Sequence, residues 1–300
     1  MNLSLVDMQQ LYMKFPDLKK TDIDHIREWM KKQPHLPEIS DQEIAIHLHA
    51  KYFSIEAAKF QIDTDLTLRT HAKDLFSMRD VLGDDMQMVK DVIASFPLPN
   101  LTPEGDVVLL WKLINPDVTK FSFKSVLKMG LMTYETDILE KGPPDGCILA
   151  IDMEGMTLKH LLNFNIMLGN QAVTFMQDAY RMRLKALCYF NLFPYFDKFL
   201  NIFKPMLNKD VANQLKLYDS YEGLKELFPL DILPCDYKGG KADSIANLWK
   251  NYMEYLEGRR QYFLEEERTR RVTENLRPDK SPLDSGLFGM EGSFKKLSFD

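Results

Sequence analysis

Four short apolar runs, Val107 to Leu113 (VVLLWKL), Gly146 to Met153 (GCILAIDM), Leu184 to Phe190 (LKALCYF) and Gln214 to Tyr218 (QLKLY), constrain this chain most, because longer stretches of helical pattern separate them. Runs this short and this apolar are strands covered on both faces, and strands alternating with helices build a layered α/β fold around a substantially parallel sheet. The sequence therefore predicts an α/β class with a mostly parallel sheet.

The chain ahead of these runs is helical in pattern. Thr21 with Asp24, and Ser40 with Glu43, have capping-box spacing, in which a hydroxyl accepts from a backbone N–H and a carboxylate reaches back. Ile44, Leu48 and Phe53 follow Ser40, and Ser54 opens a segment with Ile55, Ala58, Ile62 and Leu66 at near-helical spacing. These segments predict a small helical bundle over residues 1–95, ending near the proline-rich FPLPNLTPE (Phe96 to Glu104). An α/β domain is expected over 96–250, and two units suit a chain of 300 residues. Residues 251–280 mix Glu254, Glu257 and Glu265 to Glu267 with Arg259, Arg260, Arg268, Arg270 and Arg271, which reads as a solvated helix of alternating charge. The last twenty residues either drape over the body or stay mobile, so 251–300 is expected to form a charged helix and a tail.

Lys and Arg number 38 against 44 Asp and Glu, a net charge of −6, which argues against a nucleic-acid binder with a broad basic face. Any anion site must be local. The beginning lacks the pattern of a secretory signal, and no apolar run approaches the ~18 residues of a spanning helix, so a cytoplasmic protein peripheral to membranes is expected. Cys147, Cys188 and Cys235 lie far apart in apolar sequence, as reduced core thiols would, and lack zinc spacing.

Signs of catalysis are sparse. Asp152 and Glu154 stand at the exit of a buried strand, where paired acids could serve acid–base chemistry or hold a metal. The simpler reading is a strand end turning at Gly155, with the acids capping the next helix and no nearby His or Lys to support catalysis. His47 and His49 fall in a helical pattern, about 200° apart around the axis, too far to share an ion. YKGGKADS fails the phosphate-loop pattern at Cys235 and Ala242, and GxGxxG, GxSxG and kinase signatures are absent. No enzyme and no cofactor is expected.

What remains is an excess of adaptable apolar residues: 17 Met, 19 Phe and 12 Tyr. Many fall on consecutive helical stretches, with Leu158, Leu161, Leu162, Phe164, Ile166, Met167 and Leu168 ahead of Ala172, Phe175, Met176 and Tyr180. A further set, Phe196, Phe199, Leu200, Phe203 and Leu207, makes one amphipathic face. Such residues either fill a core or line an apolar cavity, and composition leaves both open.

Taken in order, several segments resemble the CRAL-TRIO lipid-binding family, nearest its tocopherol-transfer and retinaldehyde-binding branch. They are LHAKYFSIEAAKFQIDTDLTLR (Leu48 to Arg69), GCILAIDMEGMTLKHL (Gly146 to Leu161) with its D-x-E-G, FPYFDKFLNIFKPML (Phe193 to Leu207) with its K-P-x-L, and ILPCDYKGG (Ile232 to Gly240). The closing GMEGSFKKL also resembles the tails of some members, and Lys238 lengthens the usual turn of DYKGG. The resemblance implies an N-terminal helical domain, an α/β domain with a deep cavity under a mobile lid helix, and an intracellular carrier. Such a carrier would bind a tocopherol, a retinoid or a similar small hydrophobic lipid and exchange it at membranes, acting as a monomer. Carried over by position, the implied ligand-binding residues are Cys147 and Ile151, then Ala172, Phe175, Met176 and Tyr180, then Met182 and Leu187, and on the lid Phe196, Phe199, Leu200 and Phe203. The branch also has a basic phosphoinositide patch, which would fall on Lys51, Arg183, Lys185 and Lys204. Three further basic positions of that patch are Asp210, Gln214 and Phe60 here. An alternative reading of the same residues is a regulatory or adaptor module whose apolar groove takes a protein partner.

Overall fold

The computed structural model describes residues 3–283. At its centre stands one five-stranded sheet: β1 (Ile93–Pro97), β2 (Asp106–Leu113), β3 (Gly146–Asp152), β4 (Leu184–Phe190) and β5 (Leu215–Tyr218). Its spatial order follows the chain, with β1 antiparallel to β2 and every later neighbour parallel. The four expected apolar runs are β2 to β5. β1 is additional, spans residues 95 and 96, and ends on Pro97, a residue that cannot donate to a ladder and suits an edge strand.

Parallel register divides the side chains between two faces. Leu109, Leu149, Leu187 and Leu215 share one row, and Trp111, Ile151, Tyr189 and Leu217 the next, on the same face. Leu110, Ala150 and Cys188 face the other way into a sealed core with Phe228, Leu233, Tyr237, Trp249, Met253 and Leu256.

The N-terminal bundle holds helices Lys20–Met30, Asp41–Ala50 and Ile55–His71, packed through Ile23, Ile26, Ile44, Leu48, Ala58 and Ile62. Ser40 forms the expected capping box: its hydroxyl accepts from the Glu43 N–H at 3.2 Å, and the Glu43 carboxylate accepts from the Ser40 N–H at 2.8 Å. Ser54 caps helix Ile55–His71 through the N–H of Ala57. Thr21 does not cap. Its helix begins one residue earlier with Lys19 at the N-cap, and the Thr21 hydroxyl bonds only Asp22.

The C-terminal charge run is not one solvated helix. It forms helices Ile245–Glu257 and Arg260–Thr269, with Tyr252, Met253, Leu256, Tyr262 and Phe263 buried, because these apolar residues recur at helical spacing and dock one face on the body. Glu266 is buried as well, in an ionic cluster joining distant parts of the chain. Arg69 Nη1 lies 2.8 Å from Glu135 and 3.1 Å from Glu266, Arg79 bonds the same two carboxylates, and Asp65, Arg181, Arg271 and Tyr262 complete the set. Burial would raise Glu135, but Arg69 and Arg79 hold it well below the carboxylate range. The tail motif GMEGSFKKL lies outside the described residues. Among the described residues no helix is long and apolar enough to cross a membrane.

Candidate ligand cavity

An apolar cavity of about 220 Å3 lies against the face of the sheet that carries Trp111, Ile151 and Tyr189. Helix Phe123–Met132 contributes Phe123, Val126, Leu127 and Leu131, the segment after β3 contributes Met156, Leu161 and Phe164, and helix Ile166–Thr174 with its π-helical extension Phe175–Ala179 contributes Ala172, Phe175 and Met176. The helix Phe196–Phe203 closes the far side with Leu200 and Phe203. Aromatic edges seal this side: the Phe164 ring lies 4.3 Å from Phe123 and 4.3 Å from Phe203. Gly169 permits that closure, since a Cβ there would meet Phe164 at 2.4 Å and Phe203 at 3.0 Å.

Of the residues implied by family position, Ile151, Ala172, Phe175, Met176, Tyr180, Leu187, Leu200 and Phe203 come together in this wall. Three others do not line it. Cys147 keeps the face that strand alternation predicts, since its pairing with β2 is unbroken, but it stands at the start of β3 beyond the reach of the cavity, with its thiol buried beside the Tyr180 hydroxyl. Met182 borders a separate space of about 20 Å3 with Arg69, Glu135 and Arg181. Phe196 is buried behind the wall, 5.1 Å from the Tyr189 ring and 5.9 Å from Phe193. The Phe199 side chain lies outside those described. Sequence reasoning passed over Leu109, Trp111 and Tyr189, which line the cavity together with Leu149 and Phe164. Alternation along VVLLWKL, aligned in parallel with GCILAIDM, carried the signal for the first two.

The acids at the end of β3 have the basic partner that the local sequence lacked. Parallel register sets Lys112 opposite Asp152, and its Nζ lies 2.6 Å from Asp152 and 2.6 Å from Glu154. Asp152 also accepts from the Tyr237 hydroxyl at 2.6 Å, Asn191 at 2.9 Å and the Glu154 N–H at 2.9 Å. Neither acid caps the next helix, Leu158–Leu162, which has Thr157 at its N-cap. Asp152 is thus the hub of a buried strand-end network, with its oxygens committed. Tyr237 belongs to DYKGG, so that segment pins the strand end.

The histidine pair is structural in its surroundings. His47 bonds Gln61 at 3.0 Å, and burial lowers it to about 4; His49 packs 4.4 Å from Phe15 and is lowered to about 3, again chiefly by burial. Among the described residues no group of three His, Cys, Asp or Glu could hold a metal ion. Cys147 and Cys188 are buried as expected, whereas Cys235 is exposed, because it sits in the turn-rich segment ahead of helix Ile245–Glu257 rather than in a strand.

The four basic positions differ in availability. Arg183 donates to the His49 carbonyl at 2.8 Å and stacks 4.3 Å over Tyr52. Lys51 is half-buried and faces Asp178, while Lys185 on β4 and Lys204 just after helix Phe196–Phe203 are exposed. Phe60 and Asp210 are exposed, and Gln214 is half-buried.

A helical bundle followed by a mostly parallel sheet, with one apolar cavity between the sheet and its helices, defines the class of protein. The sequence profile described as the CRAL/TRIO domain matches residues 94–239, and that described as the Pinta-like UBA domain matches 15–86. The human protein named Alpha-tocopherol transfer protein-like is 24% identical over 245 residues, covering 78% of this chain and 69% of that protein. Clavesin-1 of Rattus norvegicus is 24% identical over 232 residues, covering 75% of this chain and 64% of its own length. The crystal structure of Sfh5 matches 81% of this chain and 97% of its own, at 14% identity and a TM-score of 0.45. Residues 94–239 of the chain therefore carry the CRAL/TRIO domain, which defines a family of lipid-binding and lipid-transfer proteins.

Proposed function

We propose that this protein is a carrier that encloses one small hydrophobic molecule, such as a tocopherol, a retinoid or a lipid of similar size, and exchanges it at membranes by displacement of the lid helix Phe196–Phe203. The observation that carries the reading is the cavity itself: space remains where a filled core would have side chains, and aromatic and aliphatic groups form nearly all of its wall. Burying about 300 Å2 of ligand at about 25 cal/mol/Å2 supplies about 7 kcal/mol, enough to hold a lipid that water rejects. The same reading explains an unusual surface. The segment that sends Leu161 and Phe164 into the wall exposes Leu162 at 86% and Met167 at 63%, an apolar patch suited to a bilayer. Lys185 and Lys204 could meet anionic headgroups at such a surface; Arg183, already stacked and hydrogen-bonded, would contribute less.

Transfer of a fluorescent tocopherol or retinoid between donor and acceptor vesicles tests the proposal. Catalytic transfer at protein concentrations far below that of lipid is the expected result. Tight binding with transfer no faster than spontaneous exchange would contradict it.

A further inference from the structure

The cavity wall carries a few polar groups, and they differ in whether a ligand could use them. Lys112 reaches the wall with its ammonium already held by Asp152 and Glu154, each at 2.6 Å. Asp152 is filled by Lys112, Asn191, Tyr237 and a backbone N–H. Among the described residues His160 Nε2 and Trp111 Nε1 lack hydrogen-bond partners but are fully buried, so a ligand could reach neither without moving the wall. The Tyr180 hydroxyl is held at the Cys147 thiol.

Tyr189 differs from all of these. It lines the cavity from β4, with Ile151 and Leu217 as its neighbours across the sheet, and its ring rests 5.1 Å from Phe196. Its hydroxyl has no hydrogen-bond partner among the described residues, yet it is not one of the sealed atoms. Burial pushes the phenol up to about 12, so it is a neutral donor at physiological pH. A donor left unpaired in an apolar wall penalises any occupant that cannot accept from it. An anionic occupant meets a second penalty, since the one cation of the wall is already neutralised by two carboxylates.

We propose that the Tyr189 hydroxyl is the polar anchor of the cavity and selects neutral lipids bearing a hydroxyl or carbonyl oxygen over plain hydrocarbons and over anionic lipids. The proposal rests on the carrier reading above. It deepens that reading by naming the chemical class of cargo and the residue that discriminates it.

The test compares 1-octadecanol, octadecane and stearate, which share one chain length, on the full chain at neutral pH. The wild type should bind the alcohol about tenfold more tightly than either of the others. Tyr189→Phe should weaken the alcohol about three- to tenfold and leave octadecane unchanged. Because the hydroxyl has no partner among the described residues, the ligand-free variant should unfold at the wild-type temperature, which separates lost anchoring from lost fold. Equal affinity of wild type and variant for the alcohol, or stearate bound by the wild type as tightly as the alcohol, would overturn the anchor. The wild-type ranking of the three probes decides even without the variant. Uptake of all three regardless of Tyr189 would remove the anchor and leave the carrier standing, whereas uptake of none would remove both.

Discussion

Gly130 shows how closely the cavity wall is fitted. A Cβ at this position would lie 1.9 Å from the Trp111 ring, so the helix Phe123–Met132 can approach β2 only because residue 130 has no side chain. Gly130→Ala must push Trp111 into the cavity or the helix off the sheet. Overpacking of this kind costs about 1 to 3 kcal/mol, and urea denaturation together with ligand uptake should show both a lower midpoint and reduced capacity. Wild-type stability and uptake would mean that the wall is slack. Residues such as Ile151, Ala172 and Phe175 were legible in the sequence because helical and strand periodicity, read with the family resemblance, sets each on an inward face. Cys147 shows where that logic ends: alternation sets a residue on a face, but how far along the strand the cavity reaches depends on the helices that cover it. Lys112 was hidden for a related reason, since its partner Asp152 is distant in sequence and adjacent only through parallel pairing.

At the scale of elements, the lid helix Phe196–Phe203 does two jobs with opposite faces. Phe203 and Leu200 face the cavity, while Asp197 and Lys198 are exposed. A carboxylate in place of Phe203 would stand in an apolar wall whose lysine, Lys112, is already held by Asp152 and Glu154. Phe203 is only half-buried and belongs to a short peripheral helix, so Phe203→Asp should lower ligand retention at least about tenfold with little change in unfolding midpoint. Equilibrium dialysis with retinol or tocopherol checks it, and wild-type retention would detach the lid from the site. Phe175→Asp is a poorer probe, because Phe175 is buried against Phe76 at 4.9 Å and its loss would disturb the core. The amphipathic pattern of the lid and the four parallel strands were readable from spacing alone. β1 was not: five residues ending in proline look like the start of a turn, and only the ladder to β2 makes them a strand. The C-terminal helices were misread because counting charges hid the apolar stripe running between them.

Over the whole molecule, the buried ionic cluster ties helix Ile55–His71 and Arg79 to Glu135, Arg181 and the C-terminal Glu266. Removing one charge from such a set leaves its partners buried and unpaired. Glu266→Gln should cost about 3 to 5 kcal/mol in urea denaturation, with little dependence on salt because the pairs are shielded from solvent. A change below about 1 kcal/mol would show that the cluster only accompanies the packing. Acid should loosen the protein in two stages. His47 and His49 are held near 4 and 3 when folded, against 6.5 when free, so between those values the unfolded chain binds more protons and stability falls with pH. Glu135 and Glu266 are depressed when folded, so their contribution is complete above about 4.5 and is lost as pH drops through their lower folded values. Unfolding midpoints measured from pH 7 to 3 should decline already below 6.5, and a flat profile down to 4.5 would contradict the histidine part.

The central claim is that the cavity is occupied in the cell by one apolar molecule. Mass measurement of the protein purified from a lipid-containing extract, first under native and then under denaturing conditions, tests this most directly. The account predicts a stoichiometric adduct that denaturation releases as a small hydrophobic compound. A reproducibly empty protein that also takes up neither tocopherol, retinaldehyde nor phospholipid would contradict it.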